Sequence, residues 1–140
     1  MSAIVCAIRG GKESHATINR AIDLAEEMKL PLNYLYVVNE DDFSDIQGDQ
    51  LKVTLDWLFH AGNAILSIAV SKSKDIKADG IIRSGKIREK ILALCQELDA
   101  DYLVVGRPGI NEKRNMFTNK KLKRFCKRVE RKSNARVLVI

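Results

Sequence analysis

The sequence predicts an α/β fold, a doubly wound five-stranded parallel sheet with helices on both faces in the order βαβαβαβαβ. Four short apolar runs rich in Val, Ile, Leu and Tyr lack polar alternation, as strands buried on both faces do. Between these runs the apolar residues recur with the period of helices. The length of 140 residues, 46% of them hydrophobic and 30% charged, allows one domain with a real core but not two, so residues 1–140 read as a single domain.

Residues 3–8 form the first strand. Ile18, Ala21, Ile22, Ala25 and Met28 then make a helical stripe, with Ser14 as N-cap and Pro31 as the stop. Residues 32–38 give the second strand, and Leu51, Leu55, Leu58, Gly62, Ile65, Leu66 and Ala69 give a second, long stripe. A weaker apolar run, residues 78–83, contains Gly80 and is expected near an edge of the sheet. Ile87, Ile91, Leu94 and Leu98 mark the third helix, residues 102–105 the fourth strand, Leu122, Phe125, Cys126 and Val129 the fourth helix, and residues 137–140 the last strand. Crossovers between parallel strands are right-handed, and ligands of such folds sit outside the carboxyl ends of the strands where the strand order reverses. The loops that matter are therefore residues 9–14, 38–49, 84–86 and 106–118. No internal repeat, linker or second domain is visible.

The net charge of +6 is not spread evenly. Residues 1–106 hold 12 basic and 16 acidic groups, net −4, whereas residues 107–136 hold 12 basic and 2 acidic, net +10. Such asymmetry marks a localised anion site or a charged face. Lys120, Lys121, Lys123, Arg124, Lys127, Arg128, Arg131 and Lys132 share the fourth helix, where the ordinary reading is a solvated face opposite the core. Nucleic-acid binding lacks its aromatic interleaving, since Phe117 precedes the helix and Phe125 is on the apolar stripe. Cys6, Cys95 and Cys126 are odd in number, without CxxC spacing, and read as reduced buried thiols. Arg9, Lys12 and Glu13 interrupt any signal-like apolar run, and no run of about 18 apolar residues suggests a membrane span. A cytoplasmic location is expected.

The stretch from Gly80 to Ile87 almost spells the phosphate loop GxxxxGK[ST], but Ile87 stands where a magnesium-binding hydroxyl is required, and the strand runs through the first glycine instead of preceding it. Gly106-Arg107-Pro108-Gly109 leaves the fourth strand directly, so its backbone N–H groups can approach a ligand, although a plain turn has the same composition. His15 and His60 sit on different helices with no ligand partners at metal spacing, and no GxSxG is present, so neither zinc nor nucleophilic catalysis is supported. Glu40, Asp41, Asp42, Asp45 and Asp49 read as a solvated acidic loop.

Several collinear segments carry a family resemblance. Residues 3–8 followed by Arg9-Gly10-Gly11 and Ser14-His15, then residues 35–38, then Ser84-Gly85-Lys86-Ile87, then Asp101 to Gly109, and finally Ser133 to Ile140, together resemble universal stress proteins over essentially the whole chain. The resemblance implies a small-molecule-binding or signalling protein rather than an enzyme, with ATP as the cofactor to consider, and homodimers joined along the last strand. An edge strand there would offer unpaired N–H and C=O groups to a partner.

In ATP-binding members the pattern is G-2X-G-9X-G-[ST], preceded by an acidic residue after the first strand. Gly106 and Gly109 match its first half. Nine residues beyond Gly109 stand Asn119-Lys120, and an alignment that keeps the last helix in register places Lys123-Arg124 at the Gly-Ser/Thr position. Arg9 stands where the acidic residue is expected. Two hypotheses follow, and a third, slow nucleotide hydrolysis, finds no identifiable base or water-positioning residue in the sequence. In the first, an adenine nucleotide or other phosphate compound lies at the carboxyl ends of the first and fourth strands, with backbone groups of Ala7, Val37 and Val38 around the base, Gly106, Arg107 and Gly109 at the phosphates, and Arg9, Lys123 and Arg124 near them. In the second, the pocket is closed and the basic helix docks an acidic protein or nucleic acid.

Overall fold

The computed structural model of the chain describes residues 2–11, 13–39, 45–106 and 119–140. Nine elements follow one another in these residues: β1 (Ile4–Ala7), α1 (Glu13–Met28), β2 (Leu32–Asn39), α2 (Asp49–Lys72), β3 (Ala78–Gly85), α3 (Ile87–Glu97), β4 (Tyr102–Val105), α4 (Asn119–Lys132) and β5 (Arg136–Val139). The strands form one parallel sheet in the order β3-β2-β1-β4-β5. This is the expected doubly wound fold, and the glycine-bearing β3 is indeed an edge strand.

Alternation along each strand feeds two cores. Ile4, Cys6, Leu32, Tyr34 and Val104 pack on one face against Ile18, Ala21 and Ala25 of α1 and Leu66 and Ala69 of α2. Val5, Leu35, Leu103 and Val105 pack on the other against Ile91, Leu94 and Cys95 of α3 and Leu122, Phe125 and Val129 of α4. Burial on both faces is why these strands carry no polar alternation. Tyr34 is fully buried, and its hydroxyl lies 2.7 Å from Ser73 Oγ. Ser73 Oγ donates its only proton to the Ala69 carbonyl at 3.0 Å, so Tyr34 must be the donor in the first bond. The pair ties β2 to the end of α2.

Several boundaries differ from the sequence expectation by one or two residues. Ser14 is inside α1, which begins one residue earlier, so it is no N-cap. β3 continues to Gly85, two residues past the apolar run, because its pairing with β2 extends to Asn39. α1 ends at Met28, the last residue of its apolar stripe, with Pro31 three residues beyond as the stop; Lys29 takes a left-handed φ of 55° while the Leu30 N–H reaches back to the Ala25 carbonyl at 3.2 Å. One further expectation needs correcting. α2 is long and apolar enough to cross a membrane by length and composition, with a mean hydropathy of 1.3 over an 18-residue window. Here its Gly62, Leu66 and Ala69 are buried against the sheet.

β5 forms the other edge. One of its main-chain donors is already engaged, since the Val137 N–H points to the Glu130 carboxylate at 3.3 Å.

Candidate functional site

A pocket opens where the carboxyl ends of β1 and β4 meet. This is the switch point of the sheet, because the chain leaves β1 toward β2 and β3 on one side while β4 and β5 lie on the other. It is lined by Ala7, Ile8, Arg9, Gly10, Ser14, Thr17, Leu35, Val37, Ile87, Ile91, Val105 and Gly106. The cavity measures about 70 Å³, and about 660 Å³ when its open, solvent-filled mouth is included.

Each wall has a local cause. Gly10 and Gly11 turn the chain from β1 into α1 with φ of 81° and 93°, a left-handed pair that side chains resist. That turn brings the start of α1 across the exit of β4, so close that a Cβ on Gly106 would stand 2.9 Å from Thr17 Oγ1. Leu35, Val37, Ile87, Ile91 and Val105 form an apolar wall continuous with the core between the sheet and α3. Arg9, Ser14 and Thr17 bring polar side chains to the opposite rim. An apolar wall facing a polar rim with two glycine backbones suits a ligand that is a flat ring at one end and anionic at the other.

Of the residues singled out in the sequence, Ala7, Arg9, Val37 and Gly106 line this one pocket. Val38 adjoins it, but strand alternation sends its buried side chain to the other face from Val37. Arg107 and Gly109 lie outside the described residues. Lys123 and Arg124 are exposed on α4 and are not among the residues lining the pocket, and every other basic residue of that helix from Lys120 to Lys132 is exposed as well. Sequence reasoning missed Ile8, Gly10, Ser14, Thr17, Leu35, Ile87, Ile91 and Val105 as lining residues. Gly10 and Ser14 fall in a loop already singled out by position, whereas Thr17 and Ile91 come to the pocket only through the packing of α1 and α3.

The near match to a phosphate loop dissolves in the fold. Gly80 to Gly85 are strand β3, and α3 starts only at Ile87. The thiols are held protonated: burial pushes Cys6 up strongly and Cys95 to about 12, and burial followed by the nearby Glu130 charge raises Cys126. No group of three or more metal-ligating side chains occurs among the described residues, and His15 and His60 are both exposed.

Comparison with known proteins agrees with this architecture. The sequence model of the universal stress protein family matches residues 1–140, while no curated protein matches. A universal stress protein from Burkholderia pseudomallei superposes with a TM-score of 0.70 at 20% identity, over 99% of this chain and 95% of its own. A universal stress protein in complex with cAMP gives 0.68 at 20% identity, over 99% and 95%. The universal stress protein from Archaeoglobus fulgidus in complex with dAMP gives 0.66 at 17% identity, over 100% and 98%. At such identities the superpositions speak for the fold alone, but the family match spans every element described above, and the chain belongs to the universal stress protein family.

Proposed function

We propose that this protein works by binding, and that its ligand is an adenine nucleotide or a related phosphate compound seated at the switch point of the sheet. The observation that carries the proposal is the coincidence, in one pocket, of an apolar wall with a rim formed by Arg9, Gly10, Ser14, Thr17 and Gly106. Solved relatives hold cAMP and dAMP, which supports this ligand class. The base would lie along Leu35, Val37 and Ile87, near the backbone of Ala7 and Val38. The phosphates would approach Gly106, Arg107 and Gly109 beside Arg9. Lys123 and Arg124, exposed on α4, would act through their field and not by contact. ATP is the first nucleotide to test, although only half of the family's motif is present.

Catalysis is no part of the proposal, because among the described residues the polar side chains along the pocket are Arg9, Ser14 and Thr17, with no carboxylate or imidazole to serve as a general base. Reduced thiols, two of them buried, fit a thiol-reducing compartment such as the cytoplasm. A homodimer along β5 is part of the same reading; the partner strand would have to displace Glu130 from the Val137 N–H. Calorimetric titration with ATP, with and without magnesium, and with cAMP and dAMP tests the ligand class. Binding that Gly106→Val abolishes is expected; no heat and no thermal shift at millimolar nucleotide would refute it.

A second reading has its own observation, the eight exposed basic side chains on α4. There the helix docks an acidic protein or nucleic acid, and association weakens steeply with salt and with Lys123→Glu plus Arg124→Glu. Association that salt does not change would refute it.

A further inference from the structure

α2 carries a second apolar stripe on the side away from the sheet. Val53, Trp57 and Ile68 are 68%, 69% and 57% exposed. With the exposed His60 and Ala64 they recur at spacings of four, three, four and four residues, which places all five on one helix face. That face lies opposite Gly62, Leu66 and Ala69, which dock the helix on the sheet. A contiguous stripe containing the chain's one tryptophan differs from apolar residues scattered singly over a surface.

The stripe is complementary to itself. Turned end for end about the point between His60 and Ala61, α2 sets Asp49 against Lys72, Val53 against Ile68, and Trp57 against Ala64. An antiparallel pair of these helices would thus place an acid opposite a base at both ends. Between the ends, aliphatic side chains meet, and the largest side chain lies over a small one. A two-fold axis makes every contact twice. Parallel pairing would instead stack Trp57 on Trp57 and bring Asp49 beside Asp49 and Lys72 beside Lys72. Helix dipoles also favour the antiparallel arrangement.

We propose that α2 is a self-association surface, on which a second copy of this chain docks antiparallel through Val53, Trp57, Ala64 and Ile68 with Asp49 and Lys72 paired at each end. A 24-residue helix is about 36 Å long, and a contact strip about 10 Å wide covers about 360 Å² on each copy. The two copies together bury about 720 Å², less than the roughly 1,000 Å² that a stable interface needs, so the association is weak and concentration-dependent. It involves neither the pocket nor the β5 edge and stands whether or not a nucleotide binds.

Trp57 reports directly on the interface, because its fluorescence is the protein's only tryptophan signal. Raising the protein concentration should shift its emission to the blue in step with a rise in mass by sedimentation velocity. Trp57→Glu, an exposed position that leaves the fold intact by circular dichroism, should weaken association at least about tenfold. Asp49→Lys and Lys72→Asp should each weaken it, and the two together should restore it, a reversal that loss of helix stability would not produce. Under oxidation His60→Cys, beside the two-fold axis, should cross-link to its own copy beyond the background of the unaltered chain. Val53→Cys alone should not, but Val53→Cys with Ile68→Cys should. Mass and emission that stay constant with concentration would overturn the proposal. So would Val53→Cys cross-linking alone as readily as His60→Cys, which means parallel pairing. An emission shift seen only with phosphatidylcholine vesicles would make the face a lipid contact and overturn it as well.

Discussion

Replacing Gly62 with Ala should destabilise the protein, against the trend of helix propensity. In the interior of α2, Ala is favoured over Gly by about 1 kcal/mol when nothing else changes. At this position an added Cβ would stand 2.7 and 2.9 Å from Cδ1 and Cε1 of Tyr36 and 2.8 Å from Cδ1 of Ile82. The Ile82 methyl ends a flexible chain and can yield. The Tyr36 ring is rigid and rises from β2, which is paired on both sides, so α2 itself must lift. Overpacking of this kind costs about 1–3 kcal/mol, which exceeds the propensity gain and leaves a net loss of about 1 kcal/mol. For 140 residues that corresponds to a fall in Tm of about 3 °C. Urea unfolding should show a lower midpoint at unchanged slope. Adding Ile82→Val, which deletes one of the clashing methyls, should give a double variant more stable than the sum of the two changes by about 0.5 kcal/mol. A midpoint raised by Gly62→Ala would mean that α2 does not approach β2 and β3 this closely, and the reasoning would fail.

Three further outcomes are expected. Gly106→Val pushes a branched side chain toward Thr17 Oγ1, which a Cβ alone would approach to 2.9 Å; calorimetry should show nucleotide affinity lost while circular dichroism shows the fold retained. Stability should fall as pH rises from about 9. The folded state holds the Cys95 thiol protonated to about 12 against an ordinary 9.0 and the Tyr34 hydroxyl to about 12 against 10.0, so the unfolded chain loses its protons first and base favours unfolding. The Tyr34 shift arises chiefly from burial and amounts to about 2–3 kcal/mol. Tyr34→Phe should remove that share of the loss above about pH 10, and urea midpoints that stay level across this range would contradict the burial of these groups. Lys29→Gly should stabilise by as much as about 1 kcal/mol in urea, since a φ of 55° strains a side chain and suits glycine; a loss would show that Lys29 contributes contacts worth more than the strain.

The fold was legible in the sequence because the physics that makes it is local and periodic. A strand buried on two faces must be largely apolar, and residues 32–38, apart from Asn33, and 102–105 are; a helix packed on one face must repeat every three to four residues, as Ile87, Ile91 and Leu94 do. The pocket was half legible. Ala7, Val37 and Gly106 follow from strand ends and a glycine, which chain position reveals. Thr17 and Ile91 do not, because they arrive from helices whose rotation and closeness depend on packing. The start of α1 was misread, since Ser14 lies inside the helix and not at its cap, whereas its end at Met28, shortly before Pro31, was legible; the left-handed turn at Lys29 that closes it was not. The outer stripe of α2 was passed over because Val53, Trp57 and Ile68 belong to a face that a one-sided helix would leave polar.

By itself the sequence determined the five strands, the four helices, their order and the concentration of positive charge near the C-terminus, since each follows from residue type and spacing along the chain. Only the tertiary structure decided what that charge can touch. Leu122, Phe125 and Val129 anchor α4 to the sheet and turn Lys123 and Arg124 outward, so the charge that sequence alignment laid over the family's phosphate motif stands in solvent. The pocket's own polar rim comes from α1 and the loop before it, because burying an apolar stripe fixes the rotation of a helix, and with it the direction of every other side chain it carries.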